Sequence, residues 1–401
     1  MAQNFSLLLG LALAVLPKPW SKAVAQRQEA WLRHAAPELV SSLLGWWGRH
    51  GRHGLPWRLL PDGRQPGPDD LLPAYPVWVA EVMLQQTQLT VALPFWRRWR
   101  SRFPDLESLA AASRQEVLHC WQGLGYYARA RRLHGVATDL AAAGRPLPRD
   151  RAGLEQLPGI GRTTAAAIAA TAGNTPDPIL DGNVKRVLSR LLAFPAPPRQ
   201  ATPLLWTMVE LLLDGRGARD FNQALMDLGA LVCRPRSPLC HRCPWRLHCR
   251  AYSRGIQHQL PVRQASAPVP HVMVGVGIVL DRQGKVLIGQ RQPDGLLGGL
   301  WEFPGGKQEP GETMADTVVR ELQEEVGLTV AVGVELLRFD HAYTHRRLTF
   351  AVYLCRVTAG EARPVANQQI AWVWPHHLHR YPFPAANARM IQALREHLGQ
   401  V

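Results

Sequence analysis

Apolar residues follow two different periods along the 401-residue chain. From about Pro37 to Ala251 they return every three or four positions, the spacing of one face of a helix. Residues 109–118, 129–142, 163–172 and 203–213 are each expected to be helical on this ground. Glycine and proline punctuate these segments, at Gly123-Leu124-Gly125 and Pro158-Gly159-Ile160-Gly161. The Pro-rich residues 62–76 read as a loop whose purpose the pattern does not give. Beyond residue 270 the pattern changes. Residues 271–280, 285–290 and 347–356 read as strands, with one helix over 313–326 among them. The chain therefore reads as two-domain, with residues 1–37 an N-terminal extension, 38–252 an all-α domain, 253–270 a linker and 271–398 a smaller α/β domain.

Charge narrows the class of partner. Lys and Arg number 46 against 31 Asp and Glu, a formal charge of +15. Such an excess suits a polyanion, because each neutralised phosphate releases counterions; a solvated basic surface has the same composition. An apolar run over residues 5–16 precedes Ala23-Val24-Ala25, which has the form of a signal-peptidase site. Residues 1–4 carry no positive charge, however, and the run is too short to span a bilayer. Neither export nor a membrane partner is expected, and a cytoplasmic, nucleoid-associated location follows.

Cysteine placement changes the picture more. Four of the six lie together as Cys233-x6-Cys240-x2-Cys243-x5-Cys249, while Cys120 and Cys355 stand apart. Thiolates this close in sequence converge on a common metal centre rather than a disulfide framework, and a reducing compartment is implied. Iron–sulfur and zinc are both open chemically, although zinc commonly takes two C-x2-C pairs and this stretch has one. Arg234, Arg236, Arg242, Arg246 and Arg250 interleave with the cysteines, either to meet phosphates or as a solvated face.

Two further segments carry chemistry. Leu157-Pro158-Gly159-Ile160-Gly161-Arg162-Thr163 opens an Ala-rich helix, where Gly159 and Gly161 let backbone N–H groups approach a phosphate. About twenty residues on stands Ile179-Leu180-Asp181-Gly182-Asn183-Val184-Lys185-Arg186. Asp181 is also well placed to cap the helix that follows. Upstream lies Val77-Trp78-Val79-Ala80-Glu81-Val82-Met83-Leu84-Gln85-Gln86-Thr87-Gln88, an acidic residue in an apolar context.

Together these segments resemble the MutY-type adenine DNA glycosylases of the endonuclease III superfamily, with helix-hairpin-helix over about 153–172. Further signatures are Gly123-Leu124-Gly125-Tyr126-Tyr127-Ala128-Arg129 and Asn222-Gln223-Ala224-Leu225-Met226-Asp227-Leu228-Gly229-Ala230. The resemblance runs from about Ser41 to Cys249. It implies an all-α glycosylase domain whose loop 233–249 holds a [4Fe-4S] cluster on Cys233, Cys240, Cys243 and Cys249. Its partner would be double-stranded DNA with adenine opposite 8-oxoguanine or guanine, bound by a monomer. Cleaving the N-glycosidic bond passes through an oxocarbenium-like state, and adenine leaves poorly unless protonated. Glu81 is therefore expected as general acid, Asp181 as the anion that stabilises the sugar cation, and Asn183 as its orienter. Arg58 would line the adenine pocket, while Gln86 and Tyr126 would wedge into the duplex. Gly159, Gly161, Thr163 and Lys185 complete the expected DNA contacts. Bifunctional members carry a Schiff-base lysine where this chain has Thr163, so the resemblance implies a monofunctional glycosylase. That threonine also argues against an endonuclease III-like pyrimidine glycosylase.

The C-terminal domain resembles MutT-like Nudix proteins. Gly306-x5-Glu312-x7-Arg320-Glu321-Leu322-x-Glu324-Glu325-x-Gly327-Leu328 satisfies the Nudix box, and its spacing puts Glu321, Glu324 and Glu325 on one helical face. These three are candidate Mg²⁺ ligands. Phe383-Pro384-Ala385-Ala386-Asn387 resembles the segment with which MutT reads 8-oxoguanine, making Asn387 a candidate reader beside Thr344 and His345 of His341-Ala342-Tyr343-Thr344-His345. Ala366 falls where MutT has a further acidic residue. Lesion recognition without turnover is the expectation, and 8-oxo-dGTP pyrophosphohydrolysis is the alternative.

Overall fold

The computed structural model describes residues 22–263, 269–343 and 346–399. They form two compact units that do not follow the expected boundaries: residues 22–85 with 145–263, and residues 86–144 with 269–343 and 346–399.

The first unit is helical. Its helix α1 (Lys22–His50) passes through Pro37, where the sequence pattern had suggested a boundary. Ala25, Leu32, Ala35 and Ala36, assigned to an N-terminal extension, are buried in the same core as Leu39 and Leu43. The apolar stripe simply continues upstream of the proline. Helices α2 (Ala74–Leu84), α7 (Arg151–Glu155), α8 (Arg162–Gly173), α9 (Gly182–Leu191), α10 (Thr202–Leu213) and α11 (Arg219–Asp227) surround that core. Trp245, fully buried, donates its indole N–H to Leu39 O at 2.8 Å. The 62–76 stretch is a loop only to Pro73, and Arg219 pins it through Gly67 O at 2.8 Å and Asp70 O at 2.5 Å. Part of the expected linker is core: Leu260 is buried and its carbonyl accepts from Arg190 Nε at 2.9 Å.

The second unit joins four helices, α3 (Leu89–Arg102), α4 (Leu106–Ala110), α5 (Arg114–Trp121) and α6 (Ala128–Ala142), to the C-terminal sheet. The helix expected over 109–118 is broken in two. Ser113 accepts from Glu116 N while the Glu116 side chain returns to Ser113 N, a capping box that starts a new helix. Among the described residues the sheet has seven strands, ordered β3-β2-β1-β6-β5, with β4 beside β1 and β7 beside β2. The strands are β1 (His271–Leu280), β2 (Val286–Gln290), β3 (Trp301–Glu302), β4 (Gly305–Lys307), β5 (Thr329–Tyr343), β6 (Arg346–Ala359) and β7 (Gln369–Val373). The pairing of β1 with β6 is parallel and the others antiparallel. Helix α12 (Met314–Val326) packs Val318, Leu322 and Val326 on one face, and α13 (Ala385–His397) packs Ala386, Met390 and Leu394 into the other cluster. Gly277 permits the first approach, because a Cβ there would lie 2.5 Å from Leu322 Cδ1.

Candidate functional site

Local chemistry builds the first part of the site. Asp181 caps α9, its Oδ1 accepting from Val184 N at 2.7 Å. Its other oxygen accepts from Asn183 Nδ2 at 3.0 Å. Asn183 Oδ1 in turn accepts from Arg186 Nη2 at 2.8 Å, and Arg186 also reaches Gly229 O and Cys233 O, each at 2.8 Å. Gly229 has to be glycine, since a Cβ would lie 2.7 Å from Asn183 Cβ. The hairpin supports the same segment. Gly159 has φ 86°, Gly161 caps α8, and Thr163 Oγ1 donates to Leu180 O at 3.4 Å. Lys185 is half-buried one turn into α9.

Glu81 comes from α2, whose Gln85 donates to Thr164 Oγ1 at 3.2 Å and so ties it to the hairpin helix. Glu81 is half-buried as a residue, and its carboxyl sits in dense surroundings. Burial pushes its pKa up to about 7; the Arg58 guanidinium opposes this and the Asp181 charge adds to it. Those mutual influences put Glu81, Asp181 and Arg58 in one electrostatic neighbourhood.

Sequence reasoning missed the group that holds Arg58. Asp227 is completely buried. It accepts from Trp47 Nε1 at 3.1 Å, from Arg52 N at 2.8 Å and from Arg52 Nε at 2.7 Å, and stands 3.7 Å from Arg58 Nη1. Burial lowers Arg58 to about 10, with Asp227 resisting that shift. Arg58 Nε and Gln223 Oε1 are buried without a hydrogen-bond partner among the described residues. The one available signal was an aspartate inside the otherwise apolar segment 224–232.

The four clustered cysteines are unpaired and partly buried, and they line one cavity with Val187, Arg190 and Trp245. Arg190 Nη1 donates to Cys233 Sγ at 3.3 Å and to Arg234 O at 2.7 Å. Burial pushes Cys243 up to about 12, so a bound cation would be needed to keep it as thiolate. No three Cys, His, Asp or Glu side chains among the described residues close on a single ion-sized point. Of the five interleaved arginines, Arg250 instead stacks on Trp31, 4.3 Å from the ring centre, while the other four are exposed.

In the second unit Gln86 is exposed with φ 58°, and Tyr126 is 46% exposed with φ 50°. Arg320 binds Glu312, Glu321 and Glu324 at 2.6, 3.0 and 3.1 Å. Glu312 is pulled down to about 2 by its bonds from Arg320, from Glu309 N and from Thr317 Oγ1. Glu325 accepts from Gly305 N at 3.0 Å and is pushed up to about 8, first by burial and then by the Glu302 charge. Glu302 is itself held by Arg291 at 2.8 and 2.7 Å. Ala366 N donates to Glu325 O at 3.2 Å, so that residue does lie beside the box helix. Asn387 is buried, its amide 3.7 Å from Met390 Sδ. Thr344 and His345 lie outside the described residues.

A helical unit with a hairpin, a half-buried glutamate and a helix-capping aspartate, on a chain that ends in a Nudix-type sheet, defines a class: helix-hairpin-helix base excision DNA glycosylases with an added Nudix domain. The profile of the HhH-GPD superfamily base excision DNA repair proteins matches residues 79–210, and that of the NUDIX domain matches residues 275–393. An adenine DNA glycosylase of Mus musculus is 37% identical over 378 residues, covering 82% of this chain and 73% of its own. That of Homo sapiens is 36% identical over 362 residues, 78% of this chain and 66% of its own. One from Mycolicibacterium smegmatis is 41% identical over 214 residues, 53% of this chain and 69% of its own. The chain belongs to the adenine DNA glycosylase family. It is a base excision repair enzyme that acts on DNA. No helix among the described residues is long and apolar enough to cross a membrane.

Proposed function

We propose that the enzyme is a monofunctional glycosylase that removes adenine paired with 8-oxoguanine or guanine. The observation that carries this is one pair of carboxylates in opposite environments. Glu81 is desolvated and keeps its proton up to about pH 7, whereas Asp181 accepts two hydrogen bonds, from Asn183 Nδ2 and Val184 N. Glu81 gives its proton to the leaving adenine as the C1′–N9 bond breaks. Asp181 stabilises the sugar cation, Asn183 holds Asp181 in place, and water adds at C1′. The DNA strand stays intact. Thr163 has no amine with which to attack the sugar.

Arg58 lines the base pocket, with its unpartnered Nε available to the adenine. Gly159, Gly161, Thr163 and Lys185 meet the DNA backbone, and Gln86 and Tyr126 enter the duplex once the base is flipped. Cys233, Cys240, Cys243 and Cys249, which line one cavity, hold a [4Fe-4S] cluster that braces the loop; zinc commonly takes two C-x2-C pairs and this stretch has one. The enzyme works as a monomer in a reducing, DNA-containing compartment. The Nudix domain reads 8-oxoguanine through Thr344, His345 and Asn387.

A second reading, 8-oxo-dGTP hydrolysis at a Mg²⁺ held by Glu321, Glu324 and Glu325, is favoured by the complete box and its shared helix. Ala366 weighs against it, since a methyl group beside Glu325 supplies no base.

The deciding assay uses duplexes carrying A:8-oxoG, A:G, A:C and oxidised thymine, scoring base release with and without alkali. Adenine release that needs alkali to cut the strand, and that is lost in Glu81→Gln, is expected. No adenine release from any duplex by cluster-loaded enzyme would overturn the proposal and direct attention to 8-oxo-dGTP.

A further inference from the structure

Gln86 and Tyr126 occupy left-handed backbone conformations, φ 58° and 50°. Non-glycine residues rarely stay there unless their surroundings hold them. Both are exposed, so neither is anchored by burial of its own side chain. Between the two turns lies Arg129, buried in the first turn of α6. Its Nη2 donates to Thr87 Oγ1 at 3.2 Å, one residue past Gln86. The same nitrogen donates to Gly125 O at 3.1 Å and Leu124 O at 3.4 Å, the carbonyls just before Tyr126. The guanidinium also lies 5.3 Å from the ring centres of both Tyr126 and Trp121. Trp121 reinforces the second turn by donating to Gly125 O at 2.9 Å.

We propose that Arg129 is a positioning residue that clamps the Gln86 and Tyr126 turns together, so that the two side chains meet the duplex as one preformed wedge. This rests on the reading of Gln86 and Tyr126 as duplex-entering residues. The chemistry asks for arginine specifically. One terminal nitrogen reaches two carbonyls and a hydroxyl while the flat guanidinium lies near two aromatic rings. Lysine keeps the charge but has no flat face to lay against the rings. Extruding a base costs unstacking energy, and a wedge already held in shape contributes most when it does not have to be ordered first.

The test uses full-length, cluster-loaded enzyme and a duplex in which the fluorescent adenine analogue 2-aminopurine stands opposite 8-oxoguanine. Unstacking of the analogue raises its fluorescence. Tyr126→Ala and Gln86→Ala are expected to lower that rise, and Arg129→Met and Arg129→Lys to lower it as far as Tyr126→Ala does. Thr87→Val, which removes one hydrogen bond and leaves the arginine in place, should lose part of it. The effects of Gln86→Ala and Tyr126→Ala should be non-additive in the native background and additive with Arg129→Met. If the two wedge substitutions reduce unstacking while Arg129→Lys and Thr87→Val do not, the clamp is wrong and the wedge stands. If the wedge substitutions themselves leave unstacking unchanged, the wedge reading fails and the clamp falls with it. Should Arg129→Met not fold, Thr87→Val and Arg129→Lys decide the matter.

Discussion

The glycosylase site and the Nudix box both gather carboxylates, and they manage the charge in opposite ways. At Glu81 the protein withholds solvent, and Arg58 only partly offsets the cost, so the acid form survives to about pH 7. In the box, Arg320 satisfies Glu312, Glu321 and Glu324 at once. Glu325, turned inward on Gly305 N, is pushed up, to about 8. Desolvation next to a second carboxylate makes a proton donor. Carboxylates tied by a shared guanidinium make a stable anionic surface. Under the proposed function, only the first of these two acidic sites is needed for base release.

The largest test of that contrast is Glu81→Gln, which should lower single-turnover adenine release by about 10²–10⁴-fold, the usual contribution of a positioned acid. Asp181→Asn should cost about 10²–10³-fold, as loss of an electrostatic stabiliser does. Asparagine caps helices as well as aspartate, so its melting temperature should stay near native while the rate falls. A melting temperature that falls in step with activity would make Asp181 structural.

Removing Asp227 probes what holds the first site. Asp227→Leu leaves Arg58 and Arg52 facing a buried apolar side chain and should destabilise the fold by about 3 kcal/mol, read by urea unfolding. A variant as stable as native would show that Trp47 and Arg52 do not depend on this carboxylate.

The pH dependence follows from the raised Glu81 pKa. An acid catalyst acts while protonated, so the rate should be level below about pH 7 and fall above it. Arg58 pulls that pKa down, so Arg58→Leu should move the falling limb to higher pH. A limb that stays put would mean that Arg58 does not act on Glu81 electrostatically. The smallest expected effect is at the box: Glu325→Gln should leave adenine release from A:G duplexes unchanged, and a large loss would undo the separation of roles.

What the sequence revealed divides along chain distance. Strand β1 was legible to the residue, and so were the helices 128–142 and 202–213 to within one, because each carries its period within its own length. The Asp181 cap, the cysteine spacing and the Nudix face were equally local. The break at Ser113 was local too, but its capping box lies inside an apolar pattern that reads as continuous helix. Boundaries fared worse. Residues 22–37 looked peripheral ahead of Pro37, and their burial depends on helices more than a hundred residues away.

By itself, then, the sequence determined the elements, the reactive residue types and the family to which they belong. Tertiary structure decided which distant groups meet: Asp227 with Arg52, 175 residues apart, and Gln85 with Thr164, 79 apart. It also decided that residues 86–144 pack in one compact unit with the C-terminal sheet, where Arg131 donates to Gly298 O and Tyr127 to Phe383 O. The physical reason is reach. A cap or a helical face is fixed by neighbours a few residues away, whereas a buried ion pair or a raised pKa exists only once packing has excluded water around groups the chain order keeps apart.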